Sequence, residues 1–244
     1  MRLLHSADWH VKDKGIEEIE TCLSFLVDTA REENIDLLVL AGDTFDSQDV
    51  RLDSKAAKLV VKTVSALADI CPVAIVIGTP SHDGTAAQIL AYMRGKHPVH
   101  VATVPEQIQM AGVVLTLIPQ PTKKFFQSAS GIQGSDQEIG QAMSGLFAGF
   151  GMLAEEYKGI PHLLVFHGAI SGAKMSNSQA VTGQDIEVSL EQMELSRADL
   201  NLCGHLHLAQ QLGKRTFYSG SIYPNNFGEI HDHGFYIHLI EEAN

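Results

Sequence analysis

Five short apolar runs in this chain each lead into a residue able to hold a metal ion or move a proton. Arg2 to Ala7 ends at Asp8, with His10 just beyond, and Ile35 to Ala41 ends at Gly42-Asp43. Val73 to Ile77 runs into a loop carrying Ser81, His82 and Asp83; Leu163 to Phe166 ends at His167; Leu200 to Cys203 ends at Gly204-His205-Leu206-His207. Runs of this length bounded by turn residues predict strands, and the stretches between the first of them have helical spacing. That alternation predicts an α/β fold, in which ligands bind in the crevice beyond the carboxyl ends of the strands. Carboxylates and imidazoles converging there from separate elements suit Mn²⁺, Fe²⁺ or Zn²⁺.

The apolar face Ile19, Cys22, Leu23, Leu26 and Val27 predicts a helix over 16–33. Asp53 or Ser54 is positioned to cap a second helix running to Ala68, and a third is expected from Thr85 to Met93. Gln107 to Gln120 alternates as one or two strands, with a turn at Ala111-Gly112. Ser128 to Ser135 reads as a polar, Gly-rich loop and the most mobile segment. A helix from Gln137 to Tyr157 follows, and short strands are expected around 216–219 and 235–239. No internal repeat or linker divides the chain, so a single domain over 1–244 is expected.

Composition narrows the class. No apolar run approaches a membrane span, and the segment before Asp8 is too short and polar for a signal peptide. Cys22, Cys71 and Cys203 lack paired spacing and read as reduced core residues, which points to the cytoplasm. Seventeen Lys and Arg against 29 Asp and Glu give a net charge of −12. That is the wrong sign for a domain gripping nucleic acid through its own surface. Two divalent cations would offset about +4 of it, at the place where it matters most.

Taken singly, each motif has a structural reading. Asp8-x-His10 is a common strand ending, Gly42-Asp43-Thr44-Phe45-Asp46 makes an ordinary turn, and a lone His167 is more often a satisfied core histidine. Gly204-His205-Leu206-His207 is more specific, because alternate histidines in an extended segment fall on one side of it. His231 and His233, around Asp232, have metal-like spacing but lie in a turn before the last strand, and are read as structural. Trp9, between two candidate ligands, fits either the core or a cleft wall. The joint occurrence, in this order and at strand ends, carries the argument.

That order, D-x-H, G-D-x-x-D, a loop with His-Asp, an isolated His and then G-H-x-H, resembles the calcineurin-like metallophosphoesterases. Three flanking stretches are similar to the SbcD-type nuclease subunits of DNA double-strand-break repair: 2–10, Phe166 to Ala173, and 218–235 with Asn226-Phe227-Gly228-Glu229. The resemblance implies a four-layer sandwich of two mixed β-sheets flanked by helices. It implies two divalent metal ions, with Mn²⁺ favoured over Fe²⁺ or Zn²⁺. One is held by Asp8, His10, Asp43 and His207, the other by Asp43, His167, His205 and a residue of the third loop. His82 is then the proton donor to the leaving oxygen, with Asp83 either orienting it or capping a helix, and Asp46 is an acceptor behind a ligand histidine. The family's third loop reads G-N-H-D, whereas this chain has Gly78-Thr79-Pro80-Ser81-His82-Asp83. Ser81, or a water, is expected in place of the asparagine carbonyl, and the second metal is expected to bind more weakly.

The resemblance further implies exonuclease and endonuclease action on DNA, an SbcC-type coiled-coil ATPase as partner, and room for a homodimer. This chain ends soon after Phe235, so the family's capping and ATPase-docking segments are expected to be absent from it. Two other functions share the same pattern: a phosphoesterase acting on a nucleotide, cyclic nucleotide or phosphoprotein, and a non-catalytic scaffold of the same fold.

Overall fold

The computed structural model describes residues 1–130, 135–176 and 186–241. In chain order the elements are β1 (Arg2–Ser6), α1 (Ile16–Glu32), β2 (Leu37–Leu40), α2 (Lys55–Ala68), β3 (Val73–Val76), β4 (Val99–Ala102), β5 (Glu106–Met110) and β6 (Val113–Ile118). There follow α3 (Lys123–Ser130), α4 (Asp136–Ala154), β7 (His162–His167), β8 (Ala169–Ile170), β9 (Glu187–Val188), α5 (Leu190–Glu194), β10 (Leu200–Gly204), β11 (Gln210–Leu212), β12 (Thr216–Tyr218) and β13 (Tyr236–Leu239).

Two mixed sheets form the centre. One has the order β13-β1-β2-β3-β4, with β13 antiparallel to β1 and the rest parallel. The other has the order β11-β12-β10-β7-β6-β5, parallel from β12 to β6 and antiparallel at both edges. β8 and β9 make a separate two-stranded ribbon.

Alternation along the strands builds four layers, the expected sandwich. Leu3, Leu37, Val39, Ala74 and Val76 face the second sheet and meet Leu115, Leu117, Leu163, Val165 and Leu202. Their neighbours Leu4, Leu38, Leu40 and Ile75 face the other way, against Leu23 and Leu26 of α1 and Val60 and Val64 of α2. The outer face of the second sheet, through Leu164, Phe166 and Cys203, packs on Ile139, Met143 and Phe147 of α4. Strands buried on both faces read as continuous apolar runs, as these do.

The local signals largely match. Ser54, rather than Asp53, caps α2 by accepting from the Ala57 amide, and Ser135 with Glu138 closes a capping box on α4. Ala111 and Gly112 both adopt left-handed backbone, the geometry of a two-residue hairpin turn between β5 and β6. Two expectations shift. The helix from Thr85 is a 3₁₀ segment over Ala86–Tyr92, and the polar loop from Ser128 begins inside α3, with 131–134 outside the described residues. The three cysteines are free, and no helix among the described residues is long and apolar enough to cross a membrane.

Candidate metal centre

The carboxyl ends of β1, β2, β3, β7 and β10 open onto one crevice at the seam between the two sheets. Beyond β1 the chain keeps to its parallel neighbour: Asp8, His10 and Val11 donate to the carbonyls of Gly42, Asp43 and Thr44, each at 3.0 Å. The pairing is kinked, because Asp8 (φ 52°), His10 (φ 42°) and Asp43 (φ 52°) adopt left-handed backbone, and His205 across the seam does too (φ 101°). Non-glycine residues seldom hold this conformation, and it persists where surrounding structure enforces it, commonly at functional sites. Two glycines let the walls close. A Cβ on Gly42 would overlap the His167 ring, and one on Gly204 would overlap the Ala41 carbonyl.

Asp43 is the hub. Its Oδ2 lies 3.8 Å from His10 Nε2 and 3.4 Å from His167 Nε2. His205 shares this space, its ring 5.3 Å from that of His167, and its amide donates to both oxygens of Asp8 at 2.9 and 3.1 Å. His10 Nε2 and His207 Nε2 approach to 3.1 Å, so both imidazoles point into the same volume. His82 meets the His10 ring edge-on at 4.6 Å, and its Nδ1 donates to the Asp46 carbonyl at 2.8 Å, which turns Nε2 toward the cluster. Asp8, His10, Asp43, His167, His205, His207 and His82 are thus brought together.

Three sequence-predicted residues stand elsewhere than expected. Ser81 is exposed, and no hydrogen bond joins its side chain to the cluster among the described residues. It is Thr79, directly after Gly78, that meets it: its amide donates to Asp43 Oδ1 at 2.5 Å, and its hydroxyl lies 3.1 Å from Asp43 Oδ2 and 3.3 Å from His167 Nε2. The insertion therefore bulges out after Thr79 rather than before Ser81. Asp83 neither touches His82 nor caps a helix with its side chain. Buried, it accepts from the amides of Thr44 (2.8 Å), Phe45 (3.1 Å) and Gly78 (2.8 Å), fastening the second loop to the third. The Asp46 carboxylate pairs with Lys12 at 3.1 Å, not with a ligand histidine. Trp9 is fully buried and bonded to Ser6, so it belongs to the core.

Behind His207, a candidate ligand, the acceptor is Glu229, 4% exposed, whose Oε1 lies 2.6 Å from His207 Nδ1. It is itself held by the Asn225 amide at 2.9 Å and Ser176. Spacing offered no sign of it; the only cue was its place in the closing stretch similar to the SbcD type. His231 and His233 lie beside it, bonded to the His207 carbonyl (3.1 Å) and Ser221 (2.9 Å), and with Glu229 they form a further group of potential ligand atoms within 4.8 Å of one another. On the other side, His167 Nδ1 donates to the Ala41 carbonyl at 2.6 Å.

Burial opposes every charge here, and the partners decide the outcome. Burial raises the Asp8 carboxyl, against the pull of His167 and His207. It would raise Asp43 as well, but His167, through charge and hydrogen bond, and His10 hold it well below the usual carboxylate range. It would lower His167, yet Asp43 and Asp8 hold that imidazole up at about 9. His10 is driven well below its ordinary value by burial. Burial opposes the Glu229 charge too, but the hydrogen bond from His207 brings its carboxyl down to about 2.

This donor set fits a pair of divalent cations. Hard carboxylate oxygens and borderline imidazoles face one another around a single carboxylate, with ligand atoms of Asp43, His10 and His82, and of Asp43, His167 and His205, each within 4.8 Å of one another.

The chain matches the calcineurin-like phosphoesterase family over residues 1–209. It is 27% identical over 257 residues to the SbcD subunit of the SbcCD nuclease of Bacillus subtilis, covering 94% of this chain and 63% of that protein. To the protein of the same name from Escherichia coli K12 it is 26% identical over 271 residues, covering 100% of this chain and 66% of that one. The chain therefore spans just under two thirds of the length of these relatives. Among solved structures it resembles GAP50, the anchor in the inner membrane complex of Plasmodium, with a TM-score of 0.59 at 15% identity, over 98% of this chain and 80% of that one. That likeness concerns the fold alone.

Proposed function

We propose that this chain, which belongs to the calcineurin-like phosphoesterase family, is a two-metal phosphodiesterase that cleaves DNA in repair and recombination, as exonuclease and endonuclease. The observation that carries the reading is the convergence of five Asp and His side chains around the Asp43 carboxylate, the six together coming from four strand ends in two sheets. Asp8, His10, Asp43 and His207 would hold one cation; Asp43, His167, His205 and the Thr79 hydroxyl would hold the other. Two divalent cations, Mn²⁺ by preference, supply an acidified water and positive charge against the phosphoryl oxygens.

The remaining work falls to the protein. Glu229 keeps the His207 proton on Nδ1, so that Nε2 presents its lone pair to the site. The Ala41 carbonyl does the same for His167. His82, its Nδ1 proton committed to the Asp46 carbonyl, can carry a second proton on Nε2 and pass it to the leaving oxygen. Asp83 holds the third loop where His82 can do so.

DNA as substrate is supported by the SbcD relatives and by the flanking stretches similar to that type. The −12 charge supports a division of labour, with an SbcC-type coiled-coil ATPase providing most of the grip on DNA in the cytoplasm. The same acidity favours a second reading, a small nucleotide or other phosphoester as substrate. Mn²⁺-dependent cleavage of linear duplex and single-stranded DNA, absent in Asp43→Asn, tests the proposal. Hydrolysis of a small chromogenic phosphodiester with no DNA cleaved would shift it to the second reading.

A further inference from the structure

Beside the metal centre, on the far side of the third loop, a cavity of about 490 Å³ opens at the carboxyl ends of β3, β4 and β6. Gly78 and Pro80 form part of its wall, and they flank the Thr79 that bonds Asp43. One loop thus separates the cavity from the cluster. Phe125, at the start of α3, and Pro119 supply flat apolar surface. Among the described residues that line it there is no lysine or arginine, and Asp49 is the one ionisable side chain. A phosphate gains nothing in such a space, whereas a neutral planar ring can stack there.

One polar group is left over. Gln120 follows β6, and its amide donates to the Ile77 carbonyl at 3.2 Å, closing the floor between the two sheets. Its side-chain Oε1 is buried and has no hydrogen-bond partner. A buried amide oxygen without a donor is costly, and a turn of the Gln120 side chain into the cavity would let the N–H edge of a ligand satisfy it.

We propose that this cavity receives the nucleobase adjoining the scissile phosphate, stacked by Phe125 and Pro119 and bonded at its N–H edge by Gln120. The inference rests on the phosphodiesterase reading, since it is the phosphate on the cluster that brings the base to the cavity. A base can enter only after leaving the helical stack, so strand ends and single strands are cleaved in preference to the interior of a duplex.

The test uses the full chain loaded with Mn²⁺ and single-stranded oligonucleotides in which one abasic residue is moved along the sequence. Cleavage at the phosphate next to the abasic residue slows at least about tenfold, mainly through KM. In Gln120→Leu and in Thr103→Phe, which fills the cavity from the end of β4, the ratio of intact to abasic rates falls toward one. A second measurement needs no turnover: deoxyadenosine monophosphate binds the wild type more tightly than deoxyribose 5-phosphate, and both variants narrow the gap. Circular dichroism melts establish that each variant is folded. Metal-dependent cleavage that ignores the abasic residue overturns the base site and leaves the nuclease reading standing. Preference for the base-bearing monophosphate with no DNA cleaved keeps the base site and overturns DNA as substrate. No DNA cleavage together with no preference for the base-bearing monophosphate removes both.

Discussion

Two groups of buried and half-buried histidines lie along or just beyond the central strands and meet different fates. At the carboxyl end of β1, His10 faces Asp43, His82 and His207. Halfway along the same strand, His5 is fully buried, bonded to the Cys203 carbonyl at 3.1 Å, and stacks on His238 of β13 at 5.7 Å. No carboxylate is paired with His5 or His238 among the described residues, and one ring nitrogen of each has no partner. Burial, with His238 adding to it, lowers His5 to about 3, and burial lowers His238 to about 4. Both stay neutral, His5 inside the core and His238 half-buried against it. The first group, given carboxylates and an open crevice, brings its ring nitrogens into one shared volume. What makes a histidine a candidate ligand here is its partner and its strand end, not its burial.

The largest expected effect comes from the hub. Asp43→Asn removes the carboxylate shared by both halves of the cluster, and metal-dependent turnover should fall by roughly a thousandfold or more. Metal content measured on the same sample should drop below two per chain. Full activity with two bound metals would mean that Asp43 is no bridge.

His82→Gln comes next. Turnover is expected to fall by about 10²–10⁴ while bound metal stays at the wild-type level, separating proton transfer from metal holding. Loss of metal in this variant would instead make His82 a ligand.

Glu229→Gln tests what lies behind the ligand. The metal affinity of the His207 half should weaken by roughly 10–100-fold, read by calorimetric titration of the apoprotein. Thr79→Asn then probes the other half: an amide oxygen in place of the hydroxyl should tighten the weaker of two Mn²⁺ sites several-fold. Two equally tight sites in the wild type would contradict the asymmetry.

The smallest effect belongs to the second histidine group. His5 and His238 are neutral when folded and take up protons near pH 6.5 when unfolded. Their contribution is therefore complete above pH 6.5 and is lost as pH falls through 6.5 toward 4, at about 1.4 kcal/mol per pH unit for each group. His5→Phe should flatten that stretch of the melting temperature against pH while leaving phosphodiester hydrolysis intact. An unchanged slope would show that His5 is not the group responsible.

Much of this was legible in the order of residues. Strands buried on both faces announce themselves as apolar runs, and Asp or His at their ends follows from where an α/β sheet opens to ligands. Asp8, His10, Asp43, His167, His205 and His207 could be named because each is local to a strand end. Thr79, Asp83 and Glu229 could not be placed this way. An insertion can bulge on either side of a loop, and only the backbone path put Thr79 against Asp43 and left Ser81 in solvent. Asp83 looked like a partner of its neighbour His82, yet its carboxylate faces the amides of Thr44, Phe45 and Gly78. Glu229 lies 22 residues from His207 along the chain and 2.6 Å from it in space. Sequence alone determined the apolar strands and the residues at their ends, because hydrophobic periodicity and strand termini are local properties, and the family resemblance implied the four layers. The tertiary structure decided which of the polar residues touch, because hydrogen bonds between loops depend on how two sheets meet, and no short stretch of sequence encodes that.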